Sequence, residues 1–267
     1  MRPVAVLSLL TILTCPSPAQ NVPTSDPQAL SLAAQSIAAM TGKTSVSDIT
    51  LNATVTSIAG SDALTGTAIL QAKGTAESRV DIKLTGTART EIRTALFGIP
   101  KGAWVKGTAA TFATLPLQSY AQHNCWTDAA WFFPVLTSLS QTLNPTLVFS
   151  YLGQEQHADV STYHIRVFQL FPQAAKELQP LQRVTTRDYY LDPTSLLPLA
   201  IAFNVHPDDD MNTNIPMEIR FAKYQLVNGV QVPMHIQRLL NGDISLDIVV
   251  TSAILNSGLS DIPFTVQ

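Results

Sequence analysis

The chain has 267 residues, of which 46% are hydrophobic and 13% charged, with a formal net charge of −3. That length allows one large β domain or two small ones, and the hydrophobic content supports a sizeable core, while charged residues stand at about half the usual ~25%. The small negative charge, without a lysine or arginine run, excludes the electrostatic footprint of nucleic-acid binding and gives no attraction to an anionic membrane surface.

The N-terminus reads as an export signal. Arg2 and the α-amine make a short positive region, Val4 to Leu13 form an apolar stretch too short to span a membrane, and Ser17-Pro18-Ala19 place small residues before a cleavage after Ala19. Residues 1–19 are therefore expected to be a removed signal peptide and 20–267 a single domain, exported to the periplasm or secreted. Cys15 raises lipid anchoring as an alternative, although Thr14 precedes it, Ile12 stands at −3 and Pro16 follows, a poor match to a lipoprotein signal. Otherwise Cys15 belongs to the discarded segment and Cys125 is left as the mature cysteine, with no internal disulfide to form. Export without disulfides suits a bacterial envelope.

After a polar linker, Asp26-Pro27 reads as N-cap and first turn of a helix whose Leu30, Ala33, Ala34, Ile37 and Ala38 share a face, with Gly42 ending it. Strands follow in quick succession. Ile49, Leu51, Ala53 and Val55 alternate with polar residues, Ala63 to Ala72 come next, then Val80, Ile82 and Leu84, then Ile92, Thr94 and Leu96 set against Glu91 and Arg93. A turn-rich patch at 98–102 leads into Trp104 and Val105. Asn124 to Pro145 shows helical spacing of Trp126, Trp131, Phe132, Phe133, Val135, Leu136, Leu139 and Leu143; Asp128 is its candidate cap and Pro134 its kink. Thr146 to Leu152 and Ser161 to Leu170 read as a hairpin around Gly153, and Pro172 to Gln179 as a short helix. Arg187 to Leu191 run into the turn Asp192-Pro193-Thr194-Ser195, and Leu199, Ile201, Phe203 and Val205 return from it. The clearest pattern is last. Met217 to Ile254 is a three-stranded meander with Asn228-Gly229 and Asn241-Gly242 between its runs, the pair that supplies the two positive φ angles of a type I′ hairpin. Short links and few helices argue for an antiparallel, mainly β (α+β) chain with helices on one face.

Motifs for chemistry are weak. Gly42-Lys43-Thr44 would end a phosphate loop, but Ile37 stands where its first glycine belongs, and the motif closes a helix instead of opening one. Asp208-Asp209-Asp210-Met211-Asn212 alternates oxygen ligands as a calcium loop does, yet Thr213 and Ile219 replace the loop glycine and glutamate, so a solvated loop is the better reading. The histidines (His123, His157, His164, His206, His235) lack zinc spacing, and His164 and His235 fall on polar strand faces as ordinary surface residues. No Gly-x-Ser-x-Gly turn marks a hydrolase. Cys125-Trp126 reads as a buried, inert cysteine. The aromatic cluster around Trp131 and Phe132 is either core between helix and sheet or the lining or lid of an apolar pocket. No catalytic residue, metal ligand or cofactor is assigned, and no enzyme activity is expected.

The order of elements, with Tyr190-Leu191-Asp192-Pro193-Thr194 and Leu197-Pro198, then Phe221 to Tyr224, Asn228-Gly229-Val230 with Pro233, and Asn256, resembles the second half of the LolA/LolB-like half-barrel superfamily of periplasmic lipoprotein carriers. It also resembles uncharacterised exported bacterial proteins that carry Trp131-Phe132-Phe133-Pro134 in the middle. The resemblance implies a curved antiparallel sheet of about eleven strands, forming an incomplete barrel with two or three helices on its concave face. The carriers' functional arginine has no counterpart that can be aligned here. In the carriers that face holds acyl chains, so the implied function is an envelope protein binding a lipid or lipoprotein acyl chain. The ligand-facing residues would be Trp131, Phe132, Leu199, Ile201, Phe203, Ile219, Phe221, Met234, Ile236, Leu246 and Ile248. The alternative is a structural or envelope-partner-binding protein whose concave face is a filled core. An outer-membrane barrel is disfavoured by the low aromatic content, 7%, and by helices that look buried; no integral membrane protein is expected.

Overall fold

The structure, a computed structural model, describes residues 23–95, 98–107, 118–171 and 179–265. The expected signal peptide, Cys15, Leu96 and most of the short helix expected after Pro172 lie outside the described residues. Helix α1 (Pro27–Thr41) is followed by β1 (Asp48–Ala59), β2 (Asp62–Lys73), β3 (Glu77–Leu84), β4 (Thr87–Thr94), β5 (Lys101–Gly107) and β6 (Gln118–Ser119). Short 3-10 turns at Gln122–Trp126, Pro134–Leu136 and Ser138–Ser140 lead to β7 (Leu147–His157), β8 (Val160–Gln169) and α2 (Gln179–Val184). Then come β9 (Arg187–Leu191), β10 (Pro198–Val205), β11 (Ile215–Val227), β12 (Val230–Leu240), β13 (Asp243–Leu255) and a last 3-10 turn at Ile262–Phe264.

Every strand belongs to one antiparallel sheet of order β6-β5-β4-β3-β2-β1-β13-β12-β11-β10-β9-β8-β7. Sequential strands pair except at the middle, where β1 meets β13. Among the described residues the edges β6 and β7 do not pair with each other, so the curved sheet is an incomplete barrel. Among the described residues it has thirteen strands, one of them only the two residues of β6, where about eleven were expected.

Alternation and register decide what faces inward. Leu51 lies opposite Leu70, Leu70 opposite Val80, and Val80 opposite Glu91. On the other side Val55 faces Ile248, and Ile236 pairs with both Ile248 and Phe221. The apolar members of these rows join one buried cluster with Ala29, Ala33 and Met40 of α1. The Asp26 side chain caps α1 by accepting from the Gln28 amide at 2.7 Å, and Gly42, with φ of 57°, ends it. Its start is tied to β7, where the Asp26 amide donates to the Phe149 carbonyl at 2.7 Å and the Phe149 amide donates to Ser25 Oγ at 3.1 Å. The helix also packs on β12, with β11, β10, β9 and β8 lying between those two strands in the sheet, so it bridges the concavity.

Three expectations about the elements are corrected. The middle segment is not an α-helix. Thr127, Phe133 and Thr137 are extended and separate the 3-10 turns. Pro134 has no amide to donate, and the Asp128 carboxylate reaches forward to the Ser138 amide, at 2.8 Å, instead of capping its own turn. The β7–β8 hairpin turns at Ala158-Asp159, both with positive φ, and not at Gly153. Gly153 (φ 117°) sits at a register shift, the usual place of a glycine inside a strand. The third correction is the facing of β4, described with the site below. The two Asn-Gly turns are as expected, with φ of 48° and 85° at Asn228 and Gly229 and 53° and 86° at Asn241 and Gly242. Among the described residues no helix is long and apolar enough to cross a membrane.

The approach of β2 to β3 gives a first prediction. A Cβ on Gly66 would stand 1.9 Å from the Lys83 carbonyl oxygen and 2.9 Å from Leu84 Cα, backbone atoms that cannot rotate away. Gly66→Ala is expected to cost about 1–3 kcal/mol, read as a fall of several degrees in Tm by differential scanning calorimetry. An unchanged Tm would refute the tight pairing.

Candidate functional site

The concave face is largely filled by the chain itself. Phe132, Phe133 and Leu139 are fully buried, and Trp131 nearly so, in one cluster with Ile201, Ile219, Phe221, Ile236, Leu246 and Ile248. Phe203 and Met234 are half-buried against that cluster, and Leu199 is half-buried at the β9–β10 register shift between Pro198 and Ala200. The expected ligand-facing residues therefore fall into two groups. Most are packed on α1 and on the 126–140 segment. Trp131 and Phe203 also line a cavity.

That cavity, about 300 Å³, lies between β4 on one side of the curved sheet and β10, β11 and β12 on the other. One wall is apolar, made of Trp131, Phe203, Val205, Met217 and Leu240; the other carries Arg89, Glu91, Arg93 and Tyr120, with Arg238 projecting from β12. The sequence reading placed Glu91 and Arg93 on the polar face of their strand and Ile92 inward. The register reverses this, since Glu91 pairs with the core residue Val80. The outer side of this part of the sheet is not free for solvent. Arg79, the register partner of Ile92, donates to the Pro263 carbonyl at 3.3 Å, and Phe264 is buried against β3 and β4. The C-terminal turn thus covers Ile92, and the charged residues go inside. Only the long-range docking of residues 261–264 reveals this.

Glu91 forms ion pairs with Arg89 at 2.8 Å and Arg238 at 3.5 Å. Burial pushes its carboxyl pKa up, but the charges of Arg238, Arg89 and Arg93 outweigh that and hold it below the ordinary value. Arg89 lies over Trp104 and Arg238 over Trp131, at 5.3 and 5.6 Å from the ring centres, and Arg89 also donates to the Tyr120 hydroxyl at 2.9 Å. Burial, then the charge of Glu91, raise the Tyr120 pKa to about 12, so it stays a neutral hydroxyl. Arg93 turns toward the middle segment and donates to the Asp128 carbonyl (3.1 Å), Thr127 Oγ1 (2.9 Å) and the Asn124 carbonyl.

Beyond Arg93 a second cavity, about 250 Å³, borders Asp128, Ser138, Cys125 and Arg187. Its floor is a structural clamp. Asp128 accepts from the Ser138 amide at 2.8 Å, Ser138 Oγ at 3.2 Å and the Tyr189 hydroxyl at 2.5 Å, with Arg187 Nε at 3.3 Å. Arg187 also donates to the Trp126 and Thr185 carbonyls. Burial and the Asp128 charge hold the Tyr189 pKa well above its usual value. Cys125 is buried, and desolvation raises its thiol. The Asp128 carboxylate, the Ser138 hydroxyl and the terminal nitrogens of Arg187 are engaged within the fold, and Arg187 Nε keeps only the 3.3 Å ion-pair contact to Asp128, an arrangement that positions the middle segment. In the 208–210 loop, Asp210 accepts from the Asn212 amide (2.8 Å) and Thr213 Oγ1 (2.6 Å), closing its own turn, while Asp208 and Asp209 are exposed.

His164 departs from the surface position expected of it. It is 6% exposed on the convex face, 3.0 Å from both Glu155 and Asp188 and beside the Tyr190 ring. His157 stacks on the same ring at 3.6 Å and reaches Glu218 at 3.0 Å. Burial raises the Glu218 carboxyl, but hydrogen bonds from His157 and Arg220 and their charges lower it further, to about 2. A depressed folded-state pKa contributes stability above the unfolded-state value near 4.5 and loses it as pH falls toward 2. Glu218→Gln is therefore expected to flatten the fall in Tm between pH 4.5 and 2.5. An equally steep profile in the variant would place the acid sensitivity elsewhere.

No protein-family model matches the sequence, and no curated protein matches it. Solved structures do. A domain described as an outer membrane lipoprotein-sorting protein from Vibrio parahaemolyticus superposes with a TM-score of 0.54 at 13% identity, covering 89% of this chain and 96% of that one. A DUF1329 family protein from Desulfovibrio piger gives 0.55 at 13% identity, again covering 89% and 96%. A LolA superfamily protein from Nitrosomonas europaea reaches 0.48 at 13% identity, too low to carry an argument by itself. At this identity the likeness is one of fold. The chain shares its fold, a curved and unclosed antiparallel sheet, with the first two of these proteins.

Proposed function

We propose that the protein is an exported, non-enzymatic envelope protein that binds an apolar or amphipathic ligand, a lipid or the acyl chain of a lipoprotein, in the unfilled part of its half-barrel. The observation that carries this reading is the cavity itself. Trp131, Phe203, Met217 and Leu240 leave an apolar wall uncovered at one end of an otherwise packed concave face. Its volume, about 300 Å³, stands at the lower end of the ~300–1,000 Å³ usual for small-molecule sites. It suits one chain without further opening. Export rests on residues 1–19. The fold shared with a domain described as lipoprotein-sorting adds support for an acyl-chain ligand. Of the residues expected to face ligand, Trp131 and Phe203 are proposed as direct contacts; Phe132, Ile201, Ile219, Phe221, Ile236, Leu246 and Ile248 would meet ligand only if the 126–140 segment moved.

The second reading, a structural or partner-binding envelope protein with a filled core, draws on those same residues, most of them fully buried against the chain. Native mass spectrometry of the mature protein purified from its own envelope separates the two. A co-purifying lipid mass is expected. A delipidated sample that takes up no acyl-chain probe would remove the first reading and leave the second.

A further inference from the structure

We infer that the cavity between β4 and β12 selects an anionic amphiphile, with the carboxylate or phosphate headgroup held by Arg89 and Arg238 and the chain laid along Trp131, Phe203 and Met217. This rests on the ligand-binding reading above and adds the chemistry of the ligand.

The wall is over-supplied with positive charge. Three arginines line it, against Glu91 and the exposed, solvated Asp208 at its rim. Arg93 is engaged by neutral acceptors, two carbonyls and a hydroxyl, which do not cancel its charge. Glu91 is shared between Arg89 and Arg238, and its contact to Arg238 is long, 3.5 Å. A guanidinium carries five N–H donors. Among the described residues, Arg238 spends one of them on Glu91, and the buried Nε groups of Arg89 and Arg238 have no partner. Buried donors left unpaired are rare and costly. A second anion between these guanidinium groups would balance the wall and accept the spare donors in the forked geometry that suits carboxylate and phosphate. The aromatic rings beneath both guanidinium groups hold them in place without consuming donors. The opposite wall is apolar, so a ligand bearing charge at one end and hydrocarbon at the other matches both walls.

The test compares dodecanoate, dodecyl phosphate and dodecanol, each below its aggregation threshold, titrated into the full mature chain and followed by calorimetry. At least tenfold tighter binding of one or both anions than of the alcohol is expected; which anion binds better tells a fatty-acid source from a phospholipid-like one. Equal affinity for all three overturns the headgroup site and leaves the apolar-ligand reading standing. Binding of none overturns both. Glu91→Gln removes the internal competitor and is expected to tighten anion binding several-fold. Arg238→Gln is expected to erase the anion preference while dodecanol still binds; a preserved preference would overturn the assignment to Arg238. Should Arg238→Gln fail to fold because Glu91 keeps only Arg89 as its counter-charge, the double variant Glu91→Gln/Arg238→Gln removes that buried carboxylate, leaves Arg89 partly exposed to solvent and carries the same readout.

Discussion

Replacing Asp128 by alanine is expected to lower stability by about 3–5 kcal/mol, the usual cost of removing one partner of a buried ion pair. The carboxylate is 8% exposed and binds four groups on two distant parts of the chain. Without it the Arg187 guanidinium keeps its carbonyl partners but no counter-charge, and the Tyr189 hydroxyl can donate only to Ser138, 2.8 Å away. For a domain of this size about 2–4 °C of Tm accompany each kcal/mol, so calorimetry should show a fall of roughly 10 °C. Pairing the change with Arg187→Met removes the stranded charge, and part of the loss should return, giving a favourable coupling in the double-mutant cycle. A single variant within about 2 °C of the parent would show that Asp128 does not clamp the middle segment.

Phe132→Ala is the second large effect, and it bears on function. Phe132 is fully buried among the inner residues of the sheet and stacks edge-on to Trp131 at 5.5 Å. Truncating a buried phenylalanine in a core that cannot collapse costs about 3–5 kcal/mol. The same residue in a lid that opens readily would cost far less, because the open state never uses its contacts. Chemical denaturation gives the cost. Amide exchange across 130–139 gives the opening free energy independently. A large cost with slow exchange means the segment is core and ligand access is confined to the cavity beside Trp131. A cost below about 1 kcal/mol with fast exchange means the segment lifts, and the deeper set from Ile201 to Ile248 becomes reachable.

Much of the architecture was legible locally. The Asn-Gly pairs, the alternation over 217–254, the Asp26-Pro27 cap with Gly42 and the Asp192 turn are short-range devices, each set by φ preference or side-chain-to-backbone bonding within a few residues. The residues that carried the likeness to the half-barrel proteins include such turns and also ties between strands far apart in the sequence. Tyr224 donates to the Pro198 carbonyl at 2.7 Å, and Asn256 ties the β13 end to Ser45 and Ser47. They record how strands are joined and say little about what the sheet holds.

What local pattern could not deliver was decided by packing between distant segments. Helical spacing over 124–145 described burial on several sides, and an irregular segment wedged between a helix and a sheet meets the same requirement. Pro134 and the reach of Asp128 to Ser138 and Tyr189 settled its form. Gly153 marked a break in pairing, and only the register with β8 made it a bulge instead of a turn. The inward facing of Glu91 depended on Phe264, far along the chain, covering the other face. The sequence by itself determined strand periodicity, the Asn-Gly and Asp192 turns and the apolar character of most of the inner wall, because those are local consequences of side-chain type. Which charges enter the barrel, how much of its concavity is filled and where a cavity remains were decided by the tertiary structure, because each depends on which remote residue takes up the space opposite.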